Sequence, residues 1–168
     1  MRLADKVQEW LNEREWDDKI NIDEENQASS LNFTFSIKDQ GFNVWIETDE
    51  KREYFKVYYY VPFNALSKKF NECTILFNEI NKRSRAGAIY LHDNKGVICW
   101  RHIIDFEGTD PSIITIQNAF DAGASTLDAW FDEITEVALT KSSAQEIIEQ
   151  LDASSATEDA EEEVPDSI

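Results

Sequence analysis

Three neighbouring stretches fix most of what this chain can fold into. LNFTFSI (31–37), FNVWIET (42–48) and YFKVYYYV (54–61) each place an apolar side chain at every second position. A period of two is the spacing of a strand with one face in a core. Leu31, Phe33, Phe35 and Ile37 share a face, as do Phe42, Val44 and Ile46, and then Phe55, Val57, Tyr59 and Val61. The links KDQG (Lys38–Gly41) and DEKRE are too short for a crossover, so the three strands form an antiparallel meander. Gly41 is expected to supply the positive φ of the first turn, and Pro62 to end the third strand. The short piece KINI (19–22) reads as either an edge strand or a loop.

Helical spacing flanks the meander. Leu3, Val7, Trp10 and Leu11 line one face of a first helix. Leu66, Phe70, Cys73, Phe77 and Ile80 line a second, with Asn64 as its expected N-cap. AIYLHDNKGVICWRHII then reads as a hairpin whose loop is Asn94–Lys95, closed by Gly96. Ile113, Ile116, Phe120, Leu127, Trp130, Ile134 and Val137 mark a long third helix. Gly123 falls inside it, where it costs about 1 kcal/mol against alanine and is expected to mark a bend. SAQEIIEQL suggests a last short helix. The expected fold is α+β, in the order α-β-β-β-α-β-β-α, with one antiparallel five-stranded sheet packed by helices. The expected organisation is one domain over 1–140, a short helix over 141–151 and an acidic, disordered, solubilising tail over 152–168.

Charge narrows the partners. The chain of 168 residues carries a net charge of −18, and seven of its acids lie in 152–168 with no base among them. An acidic surface repels phosphates, so nucleic acid is excluded as a partner. The basic cluster Asn81–Arg85 sits where the second helix ends, where cations oppose the helix dipole. Cys73 and Cys99 each lie within an apolar pattern and read as buried hydrophobes in a reducing compartment. The charged first turns are no signal sequence, and no apolar run approaches the roughly 20 residues that span a bilayer. A cytoplasmic location without membrane contact is expected.

Tests for chemistry come out against catalysis. IIDFEGTDPS (Ile103–Ser112) crowds Asp105, Glu107 and Asp110 around Gly108. A calcium loop counted from Asp105 needs glycine at its sixth position and glutamate at its twelfth, and neither is there. Helix initiation accounts for the residues instead: Asp110 or Thr109 caps, Pro111 suits the first helical position, and the acids face the positive dipole end. His92 and His102 fall on opposite faces of their hairpin and cannot join Cys99 in a zinc site. No glycine-flanked nucleophile elbow and no phosphate-cradling glycine loop occurs. The expectation is no catalytic residue, no metal and no cofactor.

The order of elements, with NKRSRAGAIYLHDNKGVICWRHIIDFEG leading into the long helix, resembles the YbjN family over about residues 1–140. The resemblance implies the fold of type III secretion chaperones. Those related chaperones are small, acidic, usually dimeric proteins that bind an extended segment of a secreted partner. It implies no catalytic residues, and the family's description as a sensory-transduction regulator is loose. The strand phase adds a candidate surface. With Phe33, Phe35, Val44, Ile46, Val57 and Tyr59 turned to the helices, the opposite face carries Trp45, Tyr58, Tyr60 and Tyr90. Four large aromatics exceed what cross-strand pairing needs, and such residues favour interfaces. The expected function is a non-catalytic protein-binding module, homodimeric, of unknown protein partner. A type III-like export chaperone and a small enzyme or ligand-binding protein with a site formed only in three dimensions stand as alternatives. Cover of the aromatic face by the second helix, the last helix or another subunit is the competing expectation.

Overall fold

The computed structural model describes residues 2–162, with side chains through residue 154. Helix α1 (Arg2–Glu13) precedes β1 (Asn21–Asp23), β2 (Ala28–Ile37), β3 (Gln40–Asp49) and β4 (Tyr54–Asn64). Then follow α2 (Phe70–Arg83), β5 (Ala88–Leu91), β6 (Val97–Asp105), α3 (Ile113–Leu139) and α4 (Ala144–Glu162). The strands form one antiparallel sheet in the order β1-β2-β3-β4-β6-β5. The sheet therefore has six strands, not five. The extra one is β1, a three-residue edge strand formed from the end of KINI, which pairs only with Ala28–Ser30.

The alternating residues do what their phase requires. Phe42, Val44, Ile46, Phe55, Val57 and Tyr59 are fully buried and meet Trp10 and Leu11 of α1 and Phe120 of α3 in one core. Each such side chain contributes about 1.5–3 kcal/mol by leaving water. Helix α1 docks through its amides: Glu50, in the β3–β4 turn, accepts from Leu3 N and Ala4 N at 2.9 Å each. A carboxylate at a helix N-terminus satisfies orphan donors and opposes the dipole. Arg2 adds bridges to Glu53 of the β3–β4 turn and to Asp110, so one of the three crowded acids is tied to the first helix.

Several local expectations are corrected. The β2–β3 turn takes its positive φ at Lys38 (48°) and Asp39 (59°), while Gly41 lies inside β3. Two left-handed residues between the paired Ile37 and Gln40 make a two-residue hairpin loop, which prefers Asn-Gly. Asp39→Gly should therefore raise stability by about 0.5–1 kcal/mol, read as a higher denaturation midpoint with an unchanged slope. Pro62 does not end its strand: β4 continues to Asn64 through a register shift against β6. A bulge is where a sheet tolerates a residue without an N–H donor. Asn64 consequently caps nothing. Its amide donates to Lys95 O at 3.3 Å, and α2 begins at Phe70 after a 3-10 turn at Ser67–Lys69.

At the start of α3 the N-cap is Ser112, whose hydroxyl accepts from Thr115 N at 3.1 Å. Thr109 and Asp110 stand before it, and Asp105 caps the local turn by accepting from Glu107 N at 2.8 Å. Gly123 marks a close approach rather than a bend. A Cβ there would stand 2.5 Å from Tyr59 Cε2 and 2.6 Å from Trp100 Cζ3, so α3 crosses the sheet over two aromatic rings. The last helix continues to Glu162, past the stop expected near Leu151. The remainder of the acidic tail, 163–168, lies outside the described residues.

Candidate functional site

Strand register assembles the aromatic face. Paired residues on neighbouring antiparallel strands point to the same side, so the pairs Asn32–Trp45, Trp45–Tyr58 and Tyr58–Arg101 form one row across the sheet. The next row runs Thr34, Asn43, Tyr60, Cys99, Tyr90 through the same ladders. The four aromatics thus belong to two adjacent rows. Tyr58 and Tyr60 stack with centroids 6.3 Å apart, and His92 stands edge-on to Tyr60 at 5.7 Å and tilted to Tyr90 at 6.1 Å. Sequence phase had named neither Arg101 nor Glu47. The Arg101 guanidinium lies 5.4 Å from the centre of the Tyr90 ring, and Glu47 accepts from the Trp45 indole N–H at 2.9 Å. Lys56 reaches Glu47 at 3.8 Å.

The core packs on the other side of the sheet. Trp45, Tyr58, Tyr60 and Tyr90 are half-buried, and their ring contacts among the described residues are with one another, His92 and Arg101. Arg101 is exposed, and Ile103, one step along β6, leaves 40% of its surface in water. Helices α2 and α4 pack against each other, and α2 also against α3 and β5.

Cys99 lies under this face between Tyr60 and Tyr90 and is fully buried. Burial pushes its thiol up to about 11, against hydrogen bonds from Tyr90 and Tyr60 and the Arg101 charge that favour the thiolate. It is a protonated, packed side chain at neutral pH and no nucleophile. Burial likewise raises the hydroxyls of Tyr58, Tyr60 and Tyr90, Tyr60 to about 12. All three present neutral phenols. His102 faces the helices, paired with Val57 and 6.1 Å from Trp100, where burial lowers its pKa. The two histidines are on opposite sides of the sheet, as their hairpin phase predicts. Among the described residues no group of three or more His, Cys, Asp or Glu side chains could hold a metal ion. The surface offers area, stacking and polar tips, which are means of binding.

The sequence matches the family model of YbjN, "Putative bacterial sensory transduction regulator", over residues 3–136. The chain belongs to the YbjN family. Among curated proteins no relative matches. Solved structures share the fold: the HopA1-SchA chaperone–effector complex aligns with a TM-score of 0.54 at 12% identity, over 76% of this chain and 91% of that one. YbjN from E. coli aligns with a TM-score of 0.52 at 10% identity, over 77% and 92%. At these identities the likeness is one of fold, so this YbjN-family chain has the chaperone-like architecture with six strands. No helix among the described residues is long and apolar enough to cross a membrane.

Proposed function

We propose that this YbjN-family chain is a non-catalytic protein-binding module whose partner seats on the open sheet face, with Trp45, Tyr58, Tyr60 and Tyr90 as its anchors. The observation that carries the reading is the two-row aromatic surface, stacked at Tyr58–Tyr60, extended by Arg101 and Ile103, with no helix among its ring contacts. Aromatics and arginine dominate binding energy because they combine contact area with directed polar tips. The same fold occurs in a chaperone–effector complex, which makes a protein the natural kind of partner. The free, buried thiols suit a reducing compartment such as the cytoplasm. In this reading a homodimer and a complex with a client both use the aromatic face.

The test is Trp45→Ala combined with Tyr58→Ala. Both side chains lie on the side of the sheet away from the core, so the circular dichroism spectrum should stay that of the parent. Solution mass or capture of the native partner should drop, the latter by about 100-fold for two anchor residues. Unchanged mass and unchanged capture in a folded double variant would sink the proposal.

A further inference from the structure

Strand β2 is longer than its outer neighbour. Because β1 pairs only with Ala28–Ser30, residues 31–37 have β3 on one side and, among the described residues, no strand on the other. An antiparallel ladder turns the N–H and C=O of every second residue outward, so this stretch presents an open row of backbone donors and acceptors. No backbone hydrogen bond from another segment reaches that edge among the described residues.

Next to the edge, on the helix side of the sheet, lies a hollow of about 660 Å³. Trp16, Phe33 and Phe35 form its apolar wall, with the Trp16 ring 5.3 Å from Phe33 and 6.2 Å from Phe35. All three are only half-buried. Thr34, Ser36 and the exposed Glu15, Asp17 and Asp18 complete the lining, and no ion pair engages the three acids among the described residues. Glu15 holds a left-handed φ of 56°, which lets the chain leave α1 and set Trp16 over Phe33. This aromatic cluster already accepts a guanidinium: Arg14 stands 4.5 Å from the centre of Trp16 and 5.2 Å from that of Phe120.

We propose that this groove binds an extended basic segment of a partner protein. The segment pairs with the open edge of β2, lays apolar side chains on Trp16, Phe33 and Phe35, and places lysine or arginine among Glu15, Asp17 and Asp18. An open strand edge calls for a peptide backbone, and the three carboxylates outnumber the neighbouring cations, Lys19 and the Arg14 already held on the Trp16 ring, so the rim calls for cations and repels phosphates. A second copy of this chain is poorly suited, since each copy carries −18 and Arg2, Lys38 and Arg83 are committed to internal ion pairs. The groove and the aromatic face lie on opposite sides of the sheet, so this proposal stands or falls independently of the other.

Two synthetic peptides about nine residues long, one alternating arginine with valine and one glutamate with valine, test it against the 15N-labelled full chain. Only the arginine peptide should shift the amides of residues 15–18 and 31–36, and rising salt should weaken it. Asp17→Asn with Asp18→Asn should weaken binding by about tenfold. Glu24→Gln with Glu107→Gln removes the same charge elsewhere and should change affinity by less than about twofold. Binding of both peptides alike, shifts confined to other residues, no shift at all, or an unaffected Asp17/Asp18 variant would overturn the proposal. So would a peptide-free solution mass that rises with concentration and is lost in that variant, which would assign the groove to a second copy.

Discussion

Gly123→Ala is expected to be among the most damaging single substitutions in this protein, although alanine is the better helix former. The added methyl would stand 2.5 Å from Tyr59 Cε2, 2.7 Å from Tyr59 Cδ2 and 2.6 Å from Trp100 Cζ3. Neither ring has room to retreat. The Tyr59 hydroxyl donates to Phe120 O at 2.8 Å, which ties it to the same helix. Trp100 is fully buried and backs onto Gly87, where a Cβ would stand 2.2 Å from its Cζ2. Relief then requires α3 to lift from the sheet, loosening Phe120 from Trp10, Tyr59 and Phe35 at once. Overpacking of a close-packed core costs about 1–3 kcal/mol or more, and here the methyl meets two immobile rings. The helix-propensity gain of about 1 kcal/mol offsets only part of that. We expect a net loss near 2 kcal/mol, seen as a fall in Tm of roughly 4–8 °C for a chain of this size. A variant as stable as the parent, or more so, would show that α3 does not press on Tyr59 and Trp100 as described.

Gly123 also shows where reading a sequence runs short. As an isolated residue it signals only a local cost. A stronger signal was present: Ile116, Phe120, Gly123 and Leu127 keep a 4-3-4 spacing, so the glycine lies on the buried stripe itself. A glycine on such a stripe asks for close approach. The strands were legible because burial of one face forces a period of two that no turn or cap can disguise. Caps and turns were less so, because they depend on where ladders end. Lys38 and Asp39 adopt positive φ because β2 and β3 are in full register up to Ile37 and Gln40, which leaves those two residues no other conformation. Ser112, not Asp110, caps α3 because it directly precedes Ile113 with an extended backbone (φ −115°, ψ 150°), which aims its hydroxyl at Thr115 N. Of the aromatic face, the four rings followed from phase alone. Arg101 was missed, although its pairing with Tyr58 puts it in the same row and the phase carried along β6 would have found it, while the Glu47 contact with Trp45 needed the side-chain geometry. The open edge of β2 could not be read at all, since it depends on how little of KINI pairs.

A second large effect is expected at Asn81, in the cluster that sequence assigned to the end of a helix dipole. Its side-chain amide donates to Ile89 O at 3.0 Å and accepts from Ile89 N at 2.8 Å. One side chain thereby copies the two-bond pairing of a neighbouring strand along the outer edge of β5. Strand β5 has only four residues and, among the described residues, one strand partner, β6, so this amide supplies much of its restraint. Asn81→Ala removes two hydrogen bonds at about 1 kcal/mol each, a loss near 2 kcal/mol. Asn81→Asp keeps the acceptor for Ile89 N but turns a second oxygen toward Ile89 O, so its loss should be at least as great. The damage should be local. Hydrogen exchange at the Ile89 amide should accelerate by about 30-fold, while the β2–β3 ladder keeps its protection. The functional consequence follows from adjacency: Ile89 faces the core and Tyr90 the open side, so releasing β5 releases Tyr90 from Arg101 and His92. The Asn81 variants should therefore weaken any partner that uses the aromatic face while leaving Tyr58, two strands inward, and Trp45, three strands inward, in place. Unchanged exchange at Ile89, or a loss spread evenly through the sheet, would mean that β5 is held by its neighbours in the core and not by this amide.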